Sequence, residues 1–202
     1  IVLNTPFAII RTMFSNSFNK PNFDGVNEKV ISEKIKPIKQ YQNNPGTKPN
    51  IVVFILESYG REYIGAFNKN AGIDNYKSHT PFIDSLAQHS MIFTNAYANG
   101  TKSIHGMSSI LAGIPSFKDA FTSSPYQKQK IESLVSTLES EGYNTSFFHG
   151  AANGSMGFLG FGNILGIDNY YGRTEFNNDE QFDGVWGIWD EPFLQFMNKK
   201  LD

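Results

Sequence analysis

The stretch ANGTKSIHGMSSILAGIPS, Ala98 to Ser116, joins two kinds of structure. It begins on the last residue of the apolar run MIFTNAYA and continues into SIHGMSSILAG, which has the apolar spacing of a short helix and a glycine, Gly113, at its end. A strand that passes through a polar loop into a helix is the basic unit of an α/β domain. The stretch therefore predicts an α/β fold with two hydroxyls, a lysine and a histidine at one junction.

The same alternation continues on both sides of this stretch. NIVVFILE, residues 50–57, is a continuous β-branched and apolar run of the kind that forms buried strands in parallel sheets. Further strands are predicted at 91–98 and 144–150, and a short strand or turn at 169–172. Helices are predicted at 80–89, 103–113, 130–142, 156–166 and from Asp190 onward, with Thr80 and Asp190 as N-caps. The pattern predicts a mostly parallel sheet with helices on both faces.

Composition limits the classes of function. The 202 residues, 40% of them hydrophobic, suit one domain or a large piece of one. A net charge of -2 gives no indication of nucleic-acid binding, and the absence of cysteine excludes disulfides and thiol chemistry. The turn-rich residues 1–49 are predicted to be a lead-in and residues 50–202 the main domain. We expect the chain to be a fragment cut at both ends.

Polar side chains follow three of the predicted strands. Glu57 ends the first strand, Thr101 and Ser103 follow the second, and His149 ends the third. Ligands of α/β domains gather at the carboxyl ends of the strands, so these residues are candidates for one site. Each has an alternative explanation: a carboxylate that has reached solvent, hydroxyls that cap the helix, and a hydrogen-bonded core histidine.

PNIVVFILESYG and TPFIDSLAQHSMIFTNAYANGTKSIHGMSSILAGIPS together resemble the alkaline phosphatase and sulfatase superfamily. The resemblance is greatest to the lipoteichoic acid synthase-like group of membrane-anchored phosphoglycerol transferases, and it runs from about Pro49 to the end of the chain. It implies an alkaline phosphatase-like fold that is incomplete in this chain. It also implies a domain on the outer face of a cytoplasmic membrane, anchored by helices upstream of Ile1.

The resemblance assigns roles to the candidate residues. It implies a divalent metal ion bound by Glu57 and Ser103, with manganese favoured over magnesium or zinc. Ser103 is the nucleophile in this register and Thr101 is the alternative. Lys102, His105 and His149 are candidates for substrate binding. The other metal ligands of the family, an Asp-His pair and a further histidine, lie beyond Asp202, so we expect the 202 residues alone to have little activity.

The implied reaction is transfer or hydrolysis of a phosphodiester, such as a lipid head group or a glycan-type substrate, through a covalent phosphoserine. Two alternatives remain open. One is a membrane-anchored sensor or assembly protein that keeps the fold without catalysis. The other is a sulfuric ester hydrolase, which His105 and Met107 disfavour because they occupy the proline and arginine positions of the sulfatase maturation motif.

Overall fold

The computed structural model describes residues 46–69, 72–116, 119–124 and 128–202, together with positions 25, 27, 29, 30 and 33. The chain divides into two units, Ile1–Val53 and Phe54–Asp202. The predicted lead-in, 1–49, lies largely outside the described residues. The helices and strands that position the candidate site belong to the second unit.

The second unit alternates helices with short strands. In chain order its described elements are α1 (Gly65–Asn68), α2 (Pro81–Ala87), α3 (Ser103–Ala112), α4 (Leu134–Ser140), β1 (Ser146–Phe148), α5 (Phe158–Leu165), β2 (Asn169–Tyr171), α6 (Arg173–Phe176) and α7 (Asp190–Leu201). Single 3-10 turns lie at Arg61–Tyr63, Phe121–Ser123, Ser155–Gly157 and Asp179–Gln181. No helix in the described part of the chain is long and apolar enough to cross a membrane.

The sheet of the described residues is a parallel pair. β1 and β2 pair in register from Ser146 opposite Asn169 to Phe148 opposite Tyr171, and α5 is the crossover helix between them. Aromatic rings stack across the pair, with centroids 5.4 Å apart for Phe147 and Tyr170. The sequence predicted β1 as a strand and left β2 as a strand or a turn, and the pair confirms a parallel α/β arrangement.

One apolar core joins the sheet to three helices. In α3 and α5 the buried residues recur at a spacing of three and four, which is the inward face of an amphipathic helix. The buried members of this core are Ile104, Met107, Leu111, Val135, Phe158, Phe161 and Leu165. Phe147 and Tyr170 of the two strands pack against the same core, so helices and sheet are fixed to one another.

The predicted ends of α3 and α4 follow local sequence signals. Gly113 ends α3 with a φ of 64°, a left-handed conformation that glycine adopts without steric cost. Ser133 caps α4 through its hydroxyl, which accepts from Ser136 N at 3.0 Å, and the Ser136 hydroxyl accepts from Ser133 N in return. The predicted end of α3 is confirmed, whereas α4 begins at Leu134, after the Ser133 cap, and not at the predicted Lys130.

Two predicted strands are absent from the structure. Residues 50–57 and 91–98 form no strand, and the apolar side chains of Ile51–Leu56 remain 37–61% exposed. A parallel strand exists only where a neighbour accepts and donates its backbone hydrogen bonds. The described strands β1 and β2 pair with each other and not with these runs.

Helix α2 does not bury the apolar face that its sequence indicates. Phe82 and Leu86 share one face with Ile83 and Ala87 at helical spacing, but they are 76% and 51% exposed, whereas Asp84 is buried. The Asp84 carboxylate accepts from Ala66 N at 2.7 Å and from the Thr80 hydroxyl at 3.1 Å. The Thr80 hydroxyl also accepts from Gly65 N, so it joins α1 to α2 instead of capping α2.

The start of α7 also differs from the prediction. Trp189 is the N-cap and Asp190 is the first helical residue, with no side-chain cap. An acidic residue in the first turn still interacts favourably with the helix dipole, so Asp190 keeps a stabilising position. Trp186 and Trp189 are 81% and 60% exposed, so neither tryptophan is a core residue.

The fully buried ring of Phe161 gives a test of the shared core. Phe161 is 2% exposed, and its replacement by alanine leaves a cavity among three helices. We expect Phe161→Ala to lower the free energy of unfolding by about 3–5 kcal/mol. The matched variant Phe82→Ala should change the free energy of unfolding by less than about 0.5 kcal/mol in urea denaturation, since that ring lies at the surface. Equal losses in both variants would refute this core.

Candidate active site

Glu57 lies in a turn with its side chain exposed. The turn comprises Glu57 and Ser58, and Ser58 has a φ of 55°, in the left-handed region. The carboxylate has therefore reached solvent, which is the alternative that the sequence left open. It nevertheless lies close enough to His149 for its charge to act on the imidazole.

The start of helix α3 places Ser103 at its first position. Lys102 is the N-cap residue, and no side chain caps the helix. The interpretation in which Thr101 or Ser103 caps α3 is therefore wrong. An uncapped helix N-terminus leaves backbone N–H groups directed at the space in front of Ser103, and such groups favour an anionic ligand.

Ser103 is half-buried, and its hydroxyl contacts a methionine. Its Oγ lies 3.9 Å from the Sδ of Met156, a residue 53 positions later in the chain. Met156 has a φ of 49°, a left-handed conformation that costs a residue with a Cβ about 1–2 kcal/mol. Its side chain remains 46% exposed. A thioether is a weak acceptor, so the hydroxyl keeps its capacity for other partners.

His149 follows β1 and lies against aromatic rings. The Phe158 ring meets the imidazole edge-on, with centroids 4.6 Å apart, and the Tyr170 hydroxyl lies 3.5 Å from Nδ1. Burial lowers the pKa of His149 below its usual 6.5, and the Glu57 charge opposes part of that shift. Burial and the Glu175 charge raise the pKa of Tyr170 to about 12, so its hydroxyl stays protonated.

These contacts link three of the predicted site residues. Ser103 touches Met156, Met156 stands two residues before Phe158, and Phe158 packs on His149, which interacts with Glu57. Ser103 therefore contacts the loop that follows β1, and His149 is the first residue of that loop. The linkage agrees with a site at the carboxyl end of β1.

The other predicted residues lie in the loop before α3 and in the first turn of that helix. Thr101 and Lys102 are exposed, and His105 is buried. The His105 Nδ1 accepts a hydrogen bond from Thr101 N at 3.3 Å, so the imidazole faces the backbone of the loop. Lys102, as the N-cap residue, brings its positive charge to the same end of the helix.

The described residues offer a small set of metal ligands. Within the described ranges, no group of three or more histidine or acidic residues is placed to hold a metal ion. Glu57 and Ser103 are oxygen donors, which suit a hard divalent cation, but a tight site needs more than two protein ligands. These residues therefore do not make a complete metal site.

The loop after His149 is held by residues that the sequence did not reveal. The Asn153 amide nitrogen donates to Glu175 Oε2 at 2.8 Å, and Gly172 N donates to the same oxygen at 2.7 Å. From the other side, Ile188 N donates to Gly150 O at 2.8 Å. The small residues of GAANG, residues 150–154, give no sign of these partners, yet hydrogen bonds hold the loop at both ends.

Asp183 organises a second loop, residues 183–187. Its Oδ1 accepts from the backbone N–H groups of Val185, Trp186 and Gly187 at 2.7 to 3.1 Å. These hydrogen bonds lower the pKa of Asp183, so the carboxylate stays charged. The hydrogen bonds hold the loop backbone, and the Trp186 side chain on it is exposed to solvent.

Comparisons with known proteins cover most of the second unit. A family model described as Sulfatase matches residues 49–202. An ulvan-active sulfatase from Formosa agariphila is 32% identical over 117 residues, which are 57% of this chain and 21% of that protein.

Two crystal structures share the fold. One, a protein in the alkaline phosphatase superfamily from Vibrio parahaemolyticus, gives a TM-score of 0.57 at 24% identity over 69% of this chain and 33% of that one. The other, the lipoteichoic acid synthase LtaP from Listeria monocytogenes, gives a TM-score of 0.55 at 20% identity. The match covers 61% of this chain and 30% of that one. They confirm the predicted alkaline phosphatase-like α/β fold. The chain spans a third or less of each protein compared.

The backbone at Met156 gives a test of conformational strain. Met156→Gly and Met156→Ala both remove the thioether, but only glycine also relieves the left-handed conformation. We expect the glycine variant to be more stable than the alanine variant by about 1 kcal/mol in urea denaturation. Equal stabilities would show that the position carries no backbone strain.

The pKa of His149 gives a second test. Because burial lowers the folded-state pKa, stability is complete above the unfolded pKa of about 6.5 and falls as the pH drops through the folded value. An NMR titration of the imidazole should give a pKa below 6.5. Glu57→Gln should lower it further, while the control Glu62→Gln should leave it unchanged. A rise in the Glu57→Gln variant would contradict the proximity of these two groups.

Proposed function

Because the chain belongs to the sulfatase family, we propose that it is part of an ester transferase or hydrolase in which Ser103 attacks a phosphodiester. The observation that carries the proposal is the environment of the Ser103 hydroxyl. It stands at the uncapped start of a ten-residue helix and touches only a weakly accepting thioether among the contacts described for it. A hydroxyl held this way is available for a bond to an electrophile.

The charges around Ser103 support an anionic substrate. The free N–H groups of α3 and the Lys102 ammonium group favour negative charge, as at other phosphate-binding helix starts. His149 is mostly neutral at pH 7, since burial lowers its pKa, and it is therefore suited to donate or accept one hydrogen bond. We assign it to the orientation of the ester or of the leaving group.

The chemical step forms a bond between Ser103 Oγ and phosphorus while the bond from phosphorus to the leaving alcohol breaks. A divalent cation bound at Glu57 and Ser103, with ligands from outside this chain, would favour the alkoxide form of the serine. Water or an acceptor alcohol then takes the group from Ser103. Manganese is the metal that we favour, from the resemblance to the synthases.

We place the whole protein at the outer face of a cytoplasmic membrane, with a phospholipid or glycan-type substrate. The fold that it shares with the lipoteichoic acid synthase LtaP supports this placement.

A second candidate reaction is hydrolysis of a sulfate ester, which the identity with an ulvan-active sulfatase favours. We prefer the phosphodiester because Met107 is buried in the core and provides no charge at the position where the sulfatase motif has arginine.

Substitution of the nucleophile tests the proposal. In the full-length protein, Ser103→Ala should lower metal-dependent turnover of bis(p-nitrophenyl) phosphate by at least about 10³-fold, since the covalent intermediate cannot form. Ser109→Ala is the matched control, because that hydroxyl bonds only to carbonyls of its own helix in the contacts described. It should retain full activity.

Three outcomes of this experiment would change the assignment. Loss of activity in Thr101→Val with full activity in Ser103→Ala would transfer the nucleophile to Thr101. Full activity in both Ser103→Ala and Thr101→Val would refute a hydroxyl nucleophile at this loop. Turnover of p-nitrophenyl sulfate that exceeds turnover of the phosphodiester would favour the sulfatase reaction.

A further inference from the structure

We propose that His105 is a positioning residue, which holds the Ser103 hydroxyl in place through the loop in front of it. The inference rests on the proposed function, since it takes Ser103 as the nucleophile. His105 is buried and directs its Nδ1 toward the loop backbone. Its role is therefore exerted on the loop, and not on the substrate.

The loop closes over the imidazole ring. Thr101 N donates to His105 Nδ1 at 3.3 Å, across four residues of chain. Gly100, with a φ of 87°, lies so close to the ring that a methyl group on its Cα would overlap the imidazole. The backbone can follow this path only at a residue without a side chain. His105 therefore fixes the direction in which the chain enters α3.

A second anchor holds the other end of the same loop. The Asn99 side chain accepts from Ser116 N at 2.7 Å, which ties the loop to the segment after α3. Ser116 is itself buried and lies 3.4 Å from the fully buried hydroxyl of Ser108. With Asn99 and Thr101 both fixed, the position of Ser103, two residues later, depends on two hydrogen bonds.

The hydrogen bond at His105 has a chemical requirement. Nδ1 accepts, so the proton of the neutral ring is on Nε2. Asparagine presents its side-chain oxygen close to the position of Nδ1, whereas glutamine presents it close to the position of Nε2. His105→Asn and His105→Gln are therefore a matched pair of amides, of which only the first keeps the acceptor.

Steady-state kinetics of the full-length protein with bis(p-nitrophenyl) phosphate test the role. We expect His105→Gln to lower kcat by about 10- to 100-fold with KM nearly unchanged, because a displaced nucleophile affects the chemical step and not binding. His105→Asn should retain at least about a third of the wild-type kcat, since the acceptor is kept. Gly100→Ala should lower kcat by a similar factor, because its methyl group would displace the imidazole that accepts from Thr101 N.

Amide hydrogen exchange gives a readout that does not need activity. The Thr101 amide should exchange about tenfold faster in His105→Gln than in the wild type, with the amides of α5 unchanged. Equal kcat in the two His105 variants, or a Thr101 amide that is unprotected in the wild type, would overturn the inference. A wild type without turnover would instead refute the proposed function, and the positioning role with it, even if Thr101 is protected.

Discussion

The apolar contact among helices α3, α4 and α5 is the constraint on which the candidate site depends. Ile104 belongs to this core and directly follows Ser103, while Phe158 belongs to it and stands two residues after Met156. Burial of each such side chain contributes about 1.5–3 kcal/mol. This packing holds the start of α3 and the loop after β1 on one core, and the hydrogen bonds at Asn99 and His105 fix the loop that leads into Ser103.

Strained backbone is found next to the site. Ser58 and Met156 have left-handed conformations without being glycine, and they adjoin Glu57 and contact Ser103 respectively. Such conformations persist where the surrounding structure fixes them, and they recur at functional sites. Here the core holds the residues that follow Met156, so the strain is offset by burial of Phe158 and Phe161.

The sequence predicted what local signals determine. Gly113 and Gly166 marked the ends of α3 and α5, and the apolar run before His149 marked β1. It failed where the outcome depends on distant residues. Ile51–Leu56 has every local property of a strand but no partner among the described residues, and the face of α2 was set by Asp84 bonding to α1. The contact between Ser103 and Met156 also joins distant parts of the chain, and no pattern in the sequence predicts it.

Opposing charges at the site limit what it can bind. The Glu57 carboxylate repels an anionic ester, whereas Lys102 and the N–H groups of α3 attract one. Glu57 is exposed, so solvent weakens its field, and its charge opposes only part of the effect of burial on the pKa of His149. A carboxylate and an anionic ester can approach the same serine only if positive charge lies between them. In the proposed reaction, a divalent cation between Glu57 and the ester would supply that charge, in addition to the Lys102 ammonium group.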